Sequence, residues 1–188
     1  MAVVLLIGSY VLGGFLPALY AGGRSGRSVR TAGSGNPGAR NAGRVFGKRA
    51  FITVLVVDAA KGAIPVLAAT GLGYGLPFQL LALTAVMLGH CFPLFHHFRG
   101  GKGAAAFAGG LLAADPWLAV PVVALFAVLY PLLRKTTRAG VLAASAAVPG
   151  CIVLHGWTAG AVSVLPVALL LFAHRSDLRI QMNRRRSE

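Results

Sequence analysis

Gly33-Ser34-Gly35-Asn36-Pro37-Gly38-Ala39-Arg40-Asn41-Ala42-Gly43-Arg44 is a polar, glycine-punctuated island between two strongly apolar segments. Glycines at 33, 35 and 38 can take backbone dihedrals closed to other residues, so successive N–H groups can turn toward one centre and hold an anion. Arg40 and Arg44 lie four apart and add charge on one side if a helix follows; their planar guanidinium forks suit phosphate or carboxylate. A second reading stays open at this point: a flexible cytoplasmic loop whose arginines serve topology alone.

The apolar flanks set the fold class. Of the 188 residues 56% are hydrophobic and 12% charged, about half the usual charged quarter of soluble proteins. A helix needs about 20 apolar residues to cross a bilayer, and runs near that length recur. The expectation is an all-α, polytopic membrane helix bundle, one membrane-embedded domain over 1–188. It has seven transmembrane segments, near 2–21, 50–70, 76–95, 104–114, 116–133, 139–154 and 159–173. The fourth is too short to span alone. Ala114-Asp115-Pro116 offers a break, because Asp can cap and Pro fits a helix's first turn; one bent span through 104–133 is the alternative.

Loops rich in Lys and Arg stay on the cytoplasmic side, and seven segments sort every charge. Arg24, Arg27, Arg30, Arg40, Arg44, Lys48 and Arg49 fall in 22–49, Arg99 and Lys102 in 96–103, and Arg134, Lys135 and Arg138 in 134–138. A basic tail, 174–188, with Arg179, Arg184, Arg185 and Arg186, completes that side and suits anionic lipid. The opposite turns, Gly71–Gly75, Ala114-Asp115 and His155–Thr158, carry no Lys or Arg. The N-terminus is therefore expected outside and the C-terminus inside.

The net charge of +14 does not point to nucleic acid, since the basic residues border spans rather than gather on a soluble fold. Met1-Ala2-Val3-Val4 lacks the basic start of a secretory leader, so the first segment is expected to remain as a helix. Cys91 and Cys151 fall at opposite membrane faces, and no disulfide is expected.

Along the chain, Gly8, Gly13 and Gly14 suit close helix packing or, with Pro17, a bend. Asp58 and Lys61 lie three apart in an apolar stretch; they either pair with each other or Asp58 anchors a loop arginine. Gly100, Gly101 and Gly103 flank Lys102 just ahead of a small-residue helix, where amides, a helix start and an ammonium can meet one phosphate. Phe92, Phe95 and Phe98 read as interfacial anchors or an acyl-chain wall. His90, His96 and His97 lack a completed ligand set, and no metal is expected. Thr137 can donate a hydroxyl to ligand or cap the next helix. His174, at the end of the last segment, reads either as a proton-transfer group or as an interfacial histidine.

These motifs together resemble the bacterial acyl-phosphate:glycerol-3-phosphate acyltransferases, over nearly the whole chain. Ser34-Gly35-Asn36-Pro37-Gly38-Ala39-Arg40-Asn41 with Arg44 matches S-G-N-x-G-x-x-N plus arginine. Asp58, Lys61 and Gly62 match D-x-x-K-G, and Gly89–Phe95 with Gly100–Gly103 match G-H-x-F-P-x-F and G-G-K-G. The resemblance implies transfer of an acyl group from acyl phosphate to the 1-hydroxyl of sn-glycerol 3-phosphate, giving lysophosphatidic acid and phosphate at the cytoplasmic face. It needs no cofactor, and a monomer is expected.

The resemblance casts Lys102, His174 and Ser34 as catalytic. It gives phosphate and substrate binding to Gly33, Ser34, Gly35, Asn36, Asn41, Arg44, Gly100, Gly101, Lys102, Gly103, Thr137 and Asp177, with Asp58, Lys61 and His90 in support. Lys102 would also stabilise charge developing on the acyl phosphate. Two departures stand out. Ala106 replaces a common threonine, and Asp177 replaces the asparagine of H-R-x-N, where Arg175 or Arg179 is expected to neutralise it. A diverged paralogue with another acceptor or no catalysis, and an anion transporter, are the competing readings.

Overall fold

The computed structural model describes residues 1–23 and 26–178. Arg24 and the arginines at 179 and 184–186 lie outside the described residues. Helices α1 (Ala2–Gly13), α2 (Ala39–Phe46), α3 (Lys48–Gly71), α4 (Leu76–Cys91), α5 (Ala104–Ala114), α6 (Ala119–Leu133), α7 (Thr136–Ala143) and α8 (Ala147–Ala173) follow in order. The described residues contain no strand.

Among the described residues five stretches have the length and composition to cross a membrane: Ala2–Leu19, Lys48–Gly71, Leu76–His96, Pro116–Leu133 and Thr136–Ala173. The fourth is only 6% buried within the protein, as expected of a helix that is apolar on every side and faces lipid. α5, at 11 residues, is about 16 Å long and short of the ~30 Å hydrocarbon core.

Two breaks shape this outline. Asp115 is extended (φ −162°, ψ 118°) and its side chain accepts the N–H of Trp117. α5 and α6 are therefore separate helices, not one bent span. In α8, Gly156 has φ 81° and ψ 178°. A Cβ on Gly160 would lie 3.4 Å from the Cα of Ile152, although eight residues of straight helix would separate the two by about 12 Å. The chain therefore reverses at Gly156, within the expected turn.

The first segment is shorter than expected: α1 ends at Gly13, and a single tight turn, Pro17–Leu19, follows. Absent from the expected segments is α2, whose buried Ala39, Ala42 and Val45 recur at helical spacing inside the basic loop. With Ala18, Val29 and Val54 this face forms a small core that docks the loop on α3.

Helices in lipid gain little from hiding apolar surface, so association rests on close backbone approach. A Cβ on Gly62 would lie 2.0 Å from the carbonyl oxygen of Ala106, and one on Gly109 2.1 Å from that of Ala59, so α3 and α5 touch backbone to backbone. Gly13 and Gly89 do the same for α1 and α4, against Val86 and Tyr10. Gly8 has open space around it and takes no part. Leu80, Leu83, Val86, Met87 and Phe107 fill the core where α4, α5 and α8 meet.

Gly62→Val should therefore lower the unfolding temperature in detergent, with a cost of about 1–3 kcal/mol for overpacking, whereas Gly8→Ala should leave it unchanged. Equal melting temperatures for Gly62→Val and the parent would contradict backbone contact at that position.

Candidate active site

The first loop is held by Asn41. Its Oδ1 accepts the Ser34 N–H at 2.8 Å, and its Nδ2 donates to the carbonyls of Val29 and Ala32 at 2.9 and 3.0 Å. At 1% exposure, with both amide donors engaged, Asn41 orders the loop, and it also borders the cavity that the loop walls. Gly33 (φ 64°) and Gly35 (φ 72°) take left-handed backbone, and a Cβ on Gly33 would strike Asn41 Oδ1 at 2.2 Å. Gly38, also expected to need glycine's freedom, is ordinary extended backbone (φ −127°) and precedes α2 without a side-chain cap.

The second loop differs from a simple amide cradle. The N–H groups of Gly100 and Gly101 donate to the carbonyls of Cys91 and His90 at 3.2 and 2.9 Å, so they are not directed at a phosphate as expected. These glycines matter for space: a Cβ on Gly101 would lie 2.2 Å from His90 Nε2. Gly103 (φ 76°) then starts α5, again with no side-chain cap. Ala106, the departure from the family pattern, is fully buried against Gly62 and lies outside the site.

Both uncapped helix starts border one cavity of about 650 Å³. Ala39 of α2 and Ala104 and Ala105 of α5 line it, so unpartnered first-turn N–H groups and the positive ends of two helices meet there. Ser34, Asn36, Arg40, Asn41, Arg44, Asp58, His90, Lys102, Thr137, His174 and Asp177 complete the polar wall. The structure thus gathers residues spread over 144 positions of sequence (34 to 177) into one chamber.

Lys102 does not stand free in this chamber. Its ammonium donates to Asp177 Oδ2 at 2.5 Å, with both side chains about a quarter to a third exposed. The expected partner was an arginine. Arg175 instead donates to the Phe172 carbonyl and lies 4.0 Å over the Phe172 ring, and Arg179 is outside the described residues. His174 is 5% exposed. Its Nδ1 meets the Leu170 carbonyl at 3.0 Å; a carbonyl only accepts, so Nδ1 carries the proton and Nε2 holds the free lone pair. Burial pushes the His174 pKa below the ordinary histidine value. The Leu170 hydrogen bond opposes that shift, and the nearby Lys102 charge adds to it.

Beneath the cavity, Lys61 lies 2.9 Å from Asp58 and donates to the carbonyls of Gly13 and Phe15. The mutual pair expected from the spacing is formed, and it also ties α3 to the end of α1. His90 Nδ1 stands 3.7 Å from the same Asp58 oxygen, so the support residues form one buried cluster.

A second, apolar cavity of about 420 Å³ adjoins the first; it is lined by Leu111, Leu112, Val122, Val123 and Leu170 and shares Arg40, Ala104, Ala108, Thr137 and His174 with it. Phe92, Phe95 and Phe98 line neither, and Phe95 and Phe98 are exposed, which favours interfacial anchoring over an acyl wall. Arg40, read with Arg44 as suited to an anion, was not among the ligands that the resemblance implies. Its signal was present in the spacing to Arg44, but its neighbour Thr137, to which Nη1 donates, is 97 residues away.

The glycerol-3-phosphate acyltransferase family pattern matches residues 3–184. The chain is 39% identical over 178 residues to glycerol-3-phosphate acyltransferase 1 of Bacillus cereus, covering 93% of this chain and 97% of the relative. It is also 39% identical over 183 residues to the glycerol-3-phosphate acyltransferase of Pseudomonas paraeruginosa, covering 95% of each. The fold superposes on crystal structures of PlsY, an integral membrane glycerol 3-phosphate acyltransferase. The glycerol 3-phosphate form gives a TM-score of 0.87 at 28% identity over 98% of this chain and 93% of PlsY, and the lysophosphatidic acid form gives 0.85. A continuous match from residue 3 to residue 184, together with the shared helical fold, places this chain in the glycerol-3-phosphate acyltransferase family.

Proposed function

We propose that this membrane acyltransferase takes its acyl group from acyl phosphate and delivers it to the 1-hydroxyl of sn-glycerol 3-phosphate. One observation carries the donor assignment: a cation-lined cavity fed by two uncapped helix starts opens directly into an apolar groove. That shape fits an amphiphile with a phosphate head beside a second, wholly polar phosphate ester. Among the described residues no serine or cysteine is hydrogen-bonded to a histidine or carboxylate base, and acyl phosphate is already activated. Transfer is therefore direct.

The glycerol C1 oxygen forms the new bond to the acyl carbon, the bond from that carbon to the phosphate oxygen breaks, and orthophosphate leaves. Neutral His174, with its Nε2 lone pair free, takes the hydroxyl proton, which ends on the departing phosphate. Ser34, Asn36, Arg44 and Lys102 hold the phosphates, and Lys102 offsets charge developing on the leaving group. Phosphate must first displace Asp177 from Lys102. The active unit we propose is the monomer.

Seven crossings, with the N-terminus outside and the site at the cytoplasmic face of the bacterial cell membrane, are the topology we propose. The supports are the one-sided distribution of Lys and Arg, the helix break at Asp115 and the reversal at Gly156.

The direct test is purified protein with acyl phosphate and radiolabelled glycerol 3-phosphate, followed by lipid extraction. Labelled lysophosphatidic acid is expected, and phosphate movement without an acylated product would contradict the reading. Cysteines at Ser28 and Thr158 should be labelled from the cytoplasmic and external sides respectively; labelling of both from one side would refute seven crossings. Asp177→Asn should free Lys102 and lower the KM for glycerol 3-phosphate about two- to fivefold, the range for a partly exposed pair of ~1 kcal/mol or less. A raised KM would show that Asp177 supports the loop instead.

The pH dependence follows from His174. Its folded pKa lies below 6.5, so the base is neutral at pH 7 and is lost only as pH falls through that lower value. The rate should hold between pH 7 and 8 and decline below pH 6.5, with that limb missing from the residual rate of His174→Gln. Substrate phosphate also ionises near pH 6, but equally in both enzymes, so identical profiles would remove His174 from proton transfer.

A further inference from the structure

Arg40 falls on a position that the S-G-N-x-G-x-x-N pattern leaves open, yet it occupies the one place where the two cavities meet. It belongs to the first turn of α2 and lines both the 650 Å³ polar chamber and the 420 Å³ apolar groove. Across that neck its guanidinium donates to the hydroxyl of Thr137, in the first turn of α7. No carboxylate pairs with it among the described residues. Lys102, by contrast, is already matched by Asp177. A guanidinium held only by a neutral hydroxyl exchanges that partner for a phosphate at little cost, because hydrogen bonds between charged groups are the stronger ones.

The geometry points to Arg40 as the residue that recognises the acyl donor's phosphate, an assignment that rests on the acyl-phosphate reading above. The two substrates differ in shape. The donor joins an apolar chain to a dianionic head; with the chain among Leu111, Leu112, Val122, Val123 and Leu170, its head lies at the neck. Glycerol 3-phosphate has no apolar part and belongs in the polar chamber, toward Ser34 and Arg44. A cation at the neck therefore discriminates: it touches the head of a molecule whose tail fills the groove and leaves the acceptor's phosphate to other groups. Thr137 keeps the fork oriented while the site is empty.

The test is steady-state kinetics of Arg40→Gln and Arg40→Lys in the purified enzyme, with palmitoyl phosphate and glycerol 3-phosphate varied separately. Arg40→Gln should raise the KM for palmitoyl phosphate about tenfold or more, as expected for loss of a charged hydrogen bond, while the KM for glycerol 3-phosphate stays within about twofold. Arg40→Lys keeps the charge and loses the fork, so its donor KM should fall between the parent and Arg40→Gln. It also supplies the donor-selective readout if Arg40→Gln does not fold. A shift in the acceptor KM instead, or no donor-selective change in either variant, would overturn the assignment of Arg40 alone. A parent enzyme that makes no lysophosphatidic acid from palmitoyl phosphate would overturn the donor reading and this inference with it.

Discussion

In hydrocarbon a helix gains nothing by turning its leucines from lipid toward a neighbouring helix, so this bundle depends on backbone meeting backbone. Gly62 against Ala106 and Gly109 against Ala59 bring α3 and α5 together; Gly13 and Gly89 do the same for α1 and α4. These contacts fix more than packing. α3 carries the Asp58–Lys61 pair, α4 carries His90, and α5 begins just after Lys102-Gly103. Holding the three helices close places the start of α5 beside the loop that leads into α2.

The site follows from that convergence. Two helix starts without side-chain caps present unpartnered N–H groups to one chamber, and three basic side chains, Arg40, Arg44 and Lys102, surround it. An isolated cluster of that kind would repel itself. Asp177 relieves part of the repulsion by resting on Lys102. His174 feels the charges of Lys102, Asp177 and Arg40, and its burial lowers its pKa, which favours the neutral imidazole. The adjoining apolar groove makes the whole space amphiphilic, as acyl transfer onto a polar phosphate ester requires.

Much of this was readable in sequence, for identifiable reasons. Ser34, Asn36 and Lys102 sit on short loops whose glycines announce unusual backbone, Arg44 follows the first of these loops in α2, and Asp58 with Lys61 share a helix, where spacing alone sets contact. The breaks at Asp115 and Gly156 fall where Pro116 and the uncharged turn pointed. What escaped depended on residues far apart in the chain. The partner of Asp177 is 75 residues away, so local sequence favoured its neighbouring arginine. The direction of the Gly100 and Gly101 amides is set by carbonyls of His90 and Cys91. α2 has eight residues and sits in a basic loop, which hid its apolar face. That Asn41 orders its loop was hidden too, because its partners Val29 and Ala32 lie outside the motif.

The central claim is that Lys102 exchanges Asp177 for a substrate phosphate inside the chamber formed at the starts of α2 and α5. A crystal structure of this protein with glycerol 3-phosphate bound tests it most directly. The account predicts the phosphate within hydrogen-bond reach of Lys102 Nζ and the Asp177 carboxylate displaced from it. An intact Lys102–Asp177 pair with the phosphate bound elsewhere would contradict it.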